Sequence, residues 1–356
     1  MLILHILVFI LGLFLVGTAL YSEIESFVLP RSARDQLTRT VFQLICRLFH
    51  LRLRWTSSYA QRDQIMAFYA PFGLLALPPT WLGLVGLGYT AMFWAIGPFG
   101  WNWPSWYAAF RLSGSSLFTL GFSAPAGLFH SMLAFSEAAI GLVLVALFIA
   151  YLPSMYAAFS RRETAVSLLE VRAGSPPSAL EMLLRFNRLH GLQRLTEQWQ
   201  AWEVWFADIE ESHTSLPALV FFRSPQAEHS WVTSAGTILD AAALTLAAVD
   251  MPEDPQAALC IRAGYLALRR IADYFNIRYN PNPAPTDPIS IRREEFDAVM
   301  HTLADKNVPL KPDLDRAWLA YSGWRVNYDR VLLALAELVM APEAPWSSDR
   351  KLSRST

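Results

Sequence analysis

Only two cysteines, Cys46 and Cys260, occur in 356 residues. They are too few and too far apart for a disulfide framework or a thiolate zinc site. The seven histidines form no HExxH pair or other close ligand cluster, so no metal cofactor is expected. Charge is scarce as well, at 17% of residues with a net charge of -1. No Lys/Arg block with interleaved aromatics appears, which excludes a strongly basic nucleic-acid binder. There is no GxGxxG after a strand and no GxSxG, so neither a nucleotide-binding regulatory domain nor a serine nucleophile is indicated. The chain is read as a non-enzyme.

Apolar residues are plentiful: 54% of the chain, with 13 Trp and 22 Phe. A helix needs about 20 mostly apolar residues to cross the hydrocarbon core, and three stretches qualify. Leu2 to Leu20 is interrupted only by His5. It is too long for a signal peptide and lacks preceding basic residues, so a retained helix is expected over 1–21. The second stretch lies within Ile65 to Ile96. Pro71, Pro78 and Pro79 are expected to break its first half, so that a straight helix begins near Trp81. The third, 132–159, is the longest, about 42 Å at 1.5 Å per residue.

Basic residues give the sidedness. Residues 22–62 carry seven Arg, and Arg161-Arg162 follows the third stretch, whereas 97–131 contains only Arg111 among Lys and Arg. Positive residues stay inside, so 22–62 and everything after 160 are expected to be cytoplasmic, with the N-terminus outside. The expected location is the cell membrane, as a multi-pass protein in the lipid bilayer. Within 22–62, Leu37, Val41, Leu44, Ile45 and Leu48 recur at helical spacing with Arg39, Arg47 and Arg54 off the stripe. This describes either a basic amphipathic helix on the membrane surface or a helix packed on the cytoplasmic domain.

Between the second and third stretches lies Trp106–Phe118 (WYAAFRLSGSSLF), too short to span. A half-helix entering from outside would point its negative C-terminal end at the bilayer centre and attract cations there. Ser115-Ser116-Leu117-Phe118-Thr119-Leu120-Gly121-Phe122-Ser123 follows the order Thr, aliphatic, Gly, aromatic. With the long helix Ser136-Glu137-Ala138-Ala139-Ile140-Gly141 through Pro153 to Arg161-Arg162, it resembles the potassium-channel superfamily. The resemblance covers about residues 64–163 and is closest to bacterial one-pore-loop relatives of the two-pore-domain potassium channels.

The resemblance implies a pore domain over 63–163, with an outer helix, a pore helix 106–117, a filter 118–123 and an inner helix 132–159. Backbone carbonyls of Thr119, Leu120, Gly121 and Phe122, with the Thr119 hydroxyl, would replace the hydration shell of K+, in preference to Na+. Phe122 would wedge against Trp103 and Trp106. Four loops would surround the ion, so a homotetramer is implied. Ser123 stands where the pattern has a second Gly, and Ala124 where it has Asp. Strain from positive φ is therefore expected at Ser123.

Glu137 is the one acidic residue in the third stretch. It is read either as a brace for the filter or as a residue reaching out at the helix end. Gly141 is a candidate hinge, Pro153 a helix weakener, and Tyr151 with Met155 a constriction or simple packing.

Residues 164–356 read as an all-α cytoplasmic domain. Helices are expected over 178–211, 233–249, 255–275 and 314–340, and Asp240 and Arg269-Arg270 argue against further crossings. Trp199, Trp202, Trp205 and Phe206 are core or an apolar pocket. His213 beside Glu210 and Glu211 could form a metal trio or a solvated cluster. The expected fold is an all-α membrane protein with three transmembrane helices, a re-entrant pore helix and a cytoplasmic domain. The expected function is a tetrameric cation channel whose regulatory ligand the sequence leaves open. The alternative is a non-conducting membrane scaffold or sensor with a degenerate pore loop.

Overall fold

The apolar runs become helices throughout the computed structural model, which describes residues 2–27, 35–53, 58–97, 106–252 and 254–350. Among the described residues there is no strand, only an isolated antiparallel bridge between Val249 and Leu310. Trp103 and the basic residues Arg31, Arg34 and Arg54 lie outside the described residues. The chain divides into two compact units, residues 1–55 with 68–156, and residues 56–67 with 157–356.

The first unit holds helices α1 (Leu2–Phe27), α2 (Gln36–Leu53), α4 (Tyr69–Ala95), α5 (Trp106–Leu117) and the first part of α6 (Leu128–Ala173). α3 (Tyr59–Ala67) belongs to the second unit. Small residues let α1 and α4 touch. A Cβ on Gly12 would come 2.5 Å from the Gly88 carbonyl, and one on Gly88 would come 2.7 Å from the Gly12 carbonyl. Without a hydrophobic force between helices in lipid, close backbone packing of this kind holds them together. His5, the polar interruption of α1, is satisfied there: Nδ1 lies 2.8 Å from the Ala95 carbonyl and the ring stacks on Trp94.

Three boundaries differ from the sequence expectation. α1 continues to Phe27, past the expected end at residue 21. Its last turns bury Ser22, Glu23 and Glu25, and Trp81 Nε1 donates to Ser22 Oγ at 2.9 Å. α4 is unbroken through Pro78 and Pro79. Pro71 sits in its first turn, where the lost N–H has no helical acceptor anyway. Beyond the two interior prolines, Trp81 is buried and bonded to Ser22 of α1, so packing against α1 holds the stretch in shape. α6 has 46 residues instead of 28 and runs through Gly141 and Pro153 without a break. It ends only where Gly174 takes φ +82.

α2 packs on α4 through Phe42 and Phe49, both at 6.0 Å from the Tyr69 ring, and leaves Leu44, Leu48 and Leu51 exposed. It thus lies in the apolar unit, with an apolar stripe uncovered.

The second unit adds α7 (Ala179–Arg188), α8 (Leu195–Ser215), α9 (Trp231–Ala248), α10 (Pro255–Tyr274), α11 (Arg293–Asp305), α12 (Leu314–Arg325) and α13 (Asp329–Leu338). Its core is built on Trp199, Phe206, Ile238, Leu268 and Leu332, all fully buried. The tryptophan set is packed core, with Trp202 and Trp205 rings 4.5 Å apart and Phe206 beside them.

Among the described residues four helices are long and apolar enough to cross a membrane: α1, the α3–α4 stretch, α6 and α9. They differ in what covers them. The apolar window of α9 is 94% buried inside the protein, against 17%, 33% and 22% for the others. A helix that is apolar all round is either a membrane span or a core helix, and α9 is already enclosed by protein. Its Asp240 is paired within the unit, Oδ2 lying 2.6 Å from Arg325 Nη1.

Candidate pore loop

The local chemistry of α5 explains where it stops. Phe118 N–H donates to Gly114, Thr119 N–H to Ser116 (3.0 Å) and Leu120 N–H to Ser115 (2.8 Å). The last two bonds form a Schellman cap, which requires the residue after the C-cap to be left-handed. That residue is Thr119, at φ +52. The expected strain therefore lies at Thr119 and not at Ser123, which is absent from the positive-φ residues. A β-branched residue in that region is an outlier, costing on the order of 1–3 kcal/mol. Gly121 also has positive φ, +72, where the missing Cβ removes the cost.

Beyond the cap the chain is held by a side chain that the sequence reading had not singled out. Ser115 Oγ accepts the Ser123 N–H at 3.1 Å, bridging from helix to loop. The carbonyls of Thr119, Leu120, Gly121 and Phe122 receive no backbone hydrogen bond among the described residues. Phe118, Leu120 and Phe122 are exposed.

Among the described residues no ring contact joins Trp106 to Phe122. Trp106 stacks on Trp94 of α4, centroids 4.8 Å apart and nearly parallel. Phe122 is instead covered on one side by the Arg111 guanidinium, 5.5 Å from its centroid, in cation–π geometry.

Glu137 faces inward, fully buried on α6, with Oε1 2.5 Å from Ser113 Oγ of α5. Ser113 Oγ also lies 3.0 Å from the Gly86 carbonyl of α4. A second link joins α4 and α6, the Tyr89 hydroxyl and Ser136 Oγ at 2.8 Å. Gly141 is a contact point: a Cβ there would fall 2.4 Å from the Leu117 carbonyl at the end of α5. Tyr151 and Met155 are buried, Tyr151 with its ring 4.3 Å from Phe27. The exposed face of α6 carries Leu142, Ile149 and Tyr156, with Pro153 between them.

No family model, curated protein or solved structure matches this chain.

In the second unit, Arg161 and Arg162 divide their work. Arg161 is exposed and pairs with Asp208 at 3.0 Å. Arg162 is buried, donating to the Leu219 and Phe222 carbonyls, both at 2.7 Å, to His213 Nε2 at 3.2 Å and to Glu163 at 2.8 Å. His213 is turned into this core. Burial, then the adjacent guanidinium, holds its ring pKa well below the ordinary value. Glu210 instead pairs with Arg270. Among the described residues no three His, Cys, Asp or Glu side chains converge.

Proposed function

We propose that four copies of this chain form a cation channel in which the 118–123 loops surround a common axis. One observation carries the reading. A 12-residue helix, too short to cross a bilayer, is lodged between the long apolar helices α4 and α6, and runs into Thr119-Leu120-Gly121-Phe122, whose carbonyls receive no backbone hydrogen bond among the described residues. Carbonyl rings of this kind take the place of water around a monovalent cation, K+ in preference to Na+. Three spans, α1, α3–α4 and α6, with an outer N-terminus follow from the basic residues of 22–62 and after 160. The constriction is assigned to the exposed stripe of Leu142, Ile149 and Tyr156, since Tyr151 and Met155 are occupied in packing. The helical second unit serves assembly or regulation.

Flux of rubidium into liposomes containing the purified protein tests the proposal. Uptake that Gly121→Asp abolishes is the expected result, and uptake no greater than in empty vesicles contradicts it. The second reading is a non-conducting scaffold or sensor. Ser123 and Ala124 favour it, as does the helix-cap conformation of Thr119. That reading predicts no uptake from a folded, membrane-inserted protein.

A further inference from the structure

α2 starts against the end of α1. Asp35, the residue before it, accepts the Leu37 and Thr38 N–H groups, both at 3.0 Å, and also takes the Ser22 hydroxyl of α1. Thr38 Oγ1 lies 2.9 Å from Ser26 Oγ, in the last turn of α1. From there α2 passes over the beginning of α4. Phe42 and Phe49 are two turns apart, about 10 Å at 1.5 Å per residue. Both rings nevertheless lie 6.0 Å from the ring of Tyr69, the first residue of α4, and Phe49 also meets Phe72 at 6.3 Å. Helices running side by side would pair residues seven apart with residues seven apart. α2 instead crosses a single turn of α4. It therefore lies across the neighbouring ends of two helices long and apolar enough to span a bilayer, where such spans leave the membrane.

The surface of α2 turned away from α4 is divided by chemistry. Leu44, Leu48 and Leu51 are exposed, and at 3.6 residues per turn they fall within about 60° of arc. Arg39, Gln43 and Arg47 succeed one another at four-residue spacing and form an exposed row along one flank of that stripe. α2 contains no Asp or Glu to neutralise them. A helix with this division, lying at the membrane boundary, matches acyl chains with one sector and phosphate with the next.

We infer that α2 is a binding site for an anionic phospholipid of the leaflet on that side, with the leucine stripe on its acyl chains and Arg39 and Arg47 on its headgroup. Charge selects the lipid class, because a zwitterionic lipid offers the same chains without net charge. Each arginine near an anionic membrane surface contributes roughly a fivefold preference. The inference needs α1 and α4 to span the bilayer and does not need the pore.

Two measurements on the full-length protein test it. In vesicles of phosphatidylcholine and phosphatidylglycerol, a spin label is placed at Leu48→Cys or Gln43→Cys in a Cys46→Ala, Cys260→Ala background. The label at 48 is expected to be relaxed more by oxygen than by a water-soluble nickel chelate, and the label at 43 the reverse. Relaxation at 48 mainly by the chelate would put the stripe in water. Protection of 48 from both reagents would mean that protein, a second copy included, covers it. Either result overturns the inference. Native mass spectrometry of the protein titrated with each lipid needs no cysteine change. Phosphatidylglycerol is expected to bind the wild type more tightly than phosphatidylcholine. Arg39→Gln with Arg47→Gln should weaken phosphatidylglycerol roughly 25-fold and leave phosphatidylcholine unchanged. Equal binding of the two lipids by the wild type, or unchanged binding of phosphatidylglycerol by the double variant, overturns the inference. Absence of rubidium flux would remove the channel reading and leave this site standing.

Discussion

Ser115 Oγ accepts the backbone N–H of Ser123 at 3.1 Å, so the loop after α5 is tied back to the helix before it. The bond spans eight residues and fixes how the chain leaves the α5 cap. Ser115→Ala leaves a loop N–H without its partner, a loss of about 1 kcal/mol. The expected outcome is a lower thermal midpoint and a weaker preference for rubidium over sodium in flux. Ser115→Thr, which keeps the hydroxyl, should restore both.

Thr119 holds a left-handed conformation that a β-branched residue tolerates poorly. Thr119→Gly should therefore raise stability by about 1 kcal/mol while removing the hydroxyl proposed to face the ion. Stability and cation selectivity are predicted to move in opposite directions. Thermal unfolding and rubidium flux on one preparation measure the two together.

Gly141 has no room for a methyl group. Its Cβ would press 2.4 Å from the Leu117 carbonyl. Gly141→Ala should cost about 1–3 kcal/mol by pushing α6 off the end of α5. A neutral result in thermal unfolding would show that this contact is not close in the folded protein.

Arg325 is fully buried between Asp240 (2.6 Å) and Asp329 (2.7 Å), with the Tyr328 hydroxyl donating to Asp240 at 2.8 Å. Removing the cation leaves carboxylates uncompensated. Arg325→Met should destabilise the second unit by about 3–5 kcal/mol. Adding Asp240→Leu to that variant should recover part of the loss, as measured by thermal unfolding of the full-length protein.

His213 makes stability depend on pH with a definite sign. In the folded protein the Arg162 guanidinium donates to Nε2, so that nitrogen must stay unprotonated. Its pKa is held well below 6.5, whereas the unfolded chain takes up a proton near that value. Below 6.5 the unfolded state binds more protons, so this contribution is present above that pH and is lost as pH falls. The slope is at most about 1.4 kcal/mol per pH unit for one group. His213→Gln is expected to flatten the acid limb of a plot of thermal midpoint against pH.

The bounds of α5 were legible because a short apolar segment without proline runs directly into Thr-Leu-Gly. The core tryptophans of α8 were legible from their three-residue spacing. Pro78 and Pro79 misled because Trp81, just beyond them, is buried and bonded to Ser22 of α1, 59 residues away, and that packing holds α4 through the prolines. α11 was missed because Arg293, Glu294 and Glu295 open it with charge in place of an apolar face. The partners of Asp240 and Glu137 were invisible for a different reason. Arg325 is 85 residues from Asp240, and Ser113 meets Glu137 only when two helices pack. Sequence spacing carries no information on such encounters.

A density map of the purified assembly tests the central claim most directly. The proposal predicts four protomers related by a fourfold axis, with residues 118–123 of each lining it within the membrane. A monomer, a dimer, or a ring whose loops lie away from the axis would contradict it.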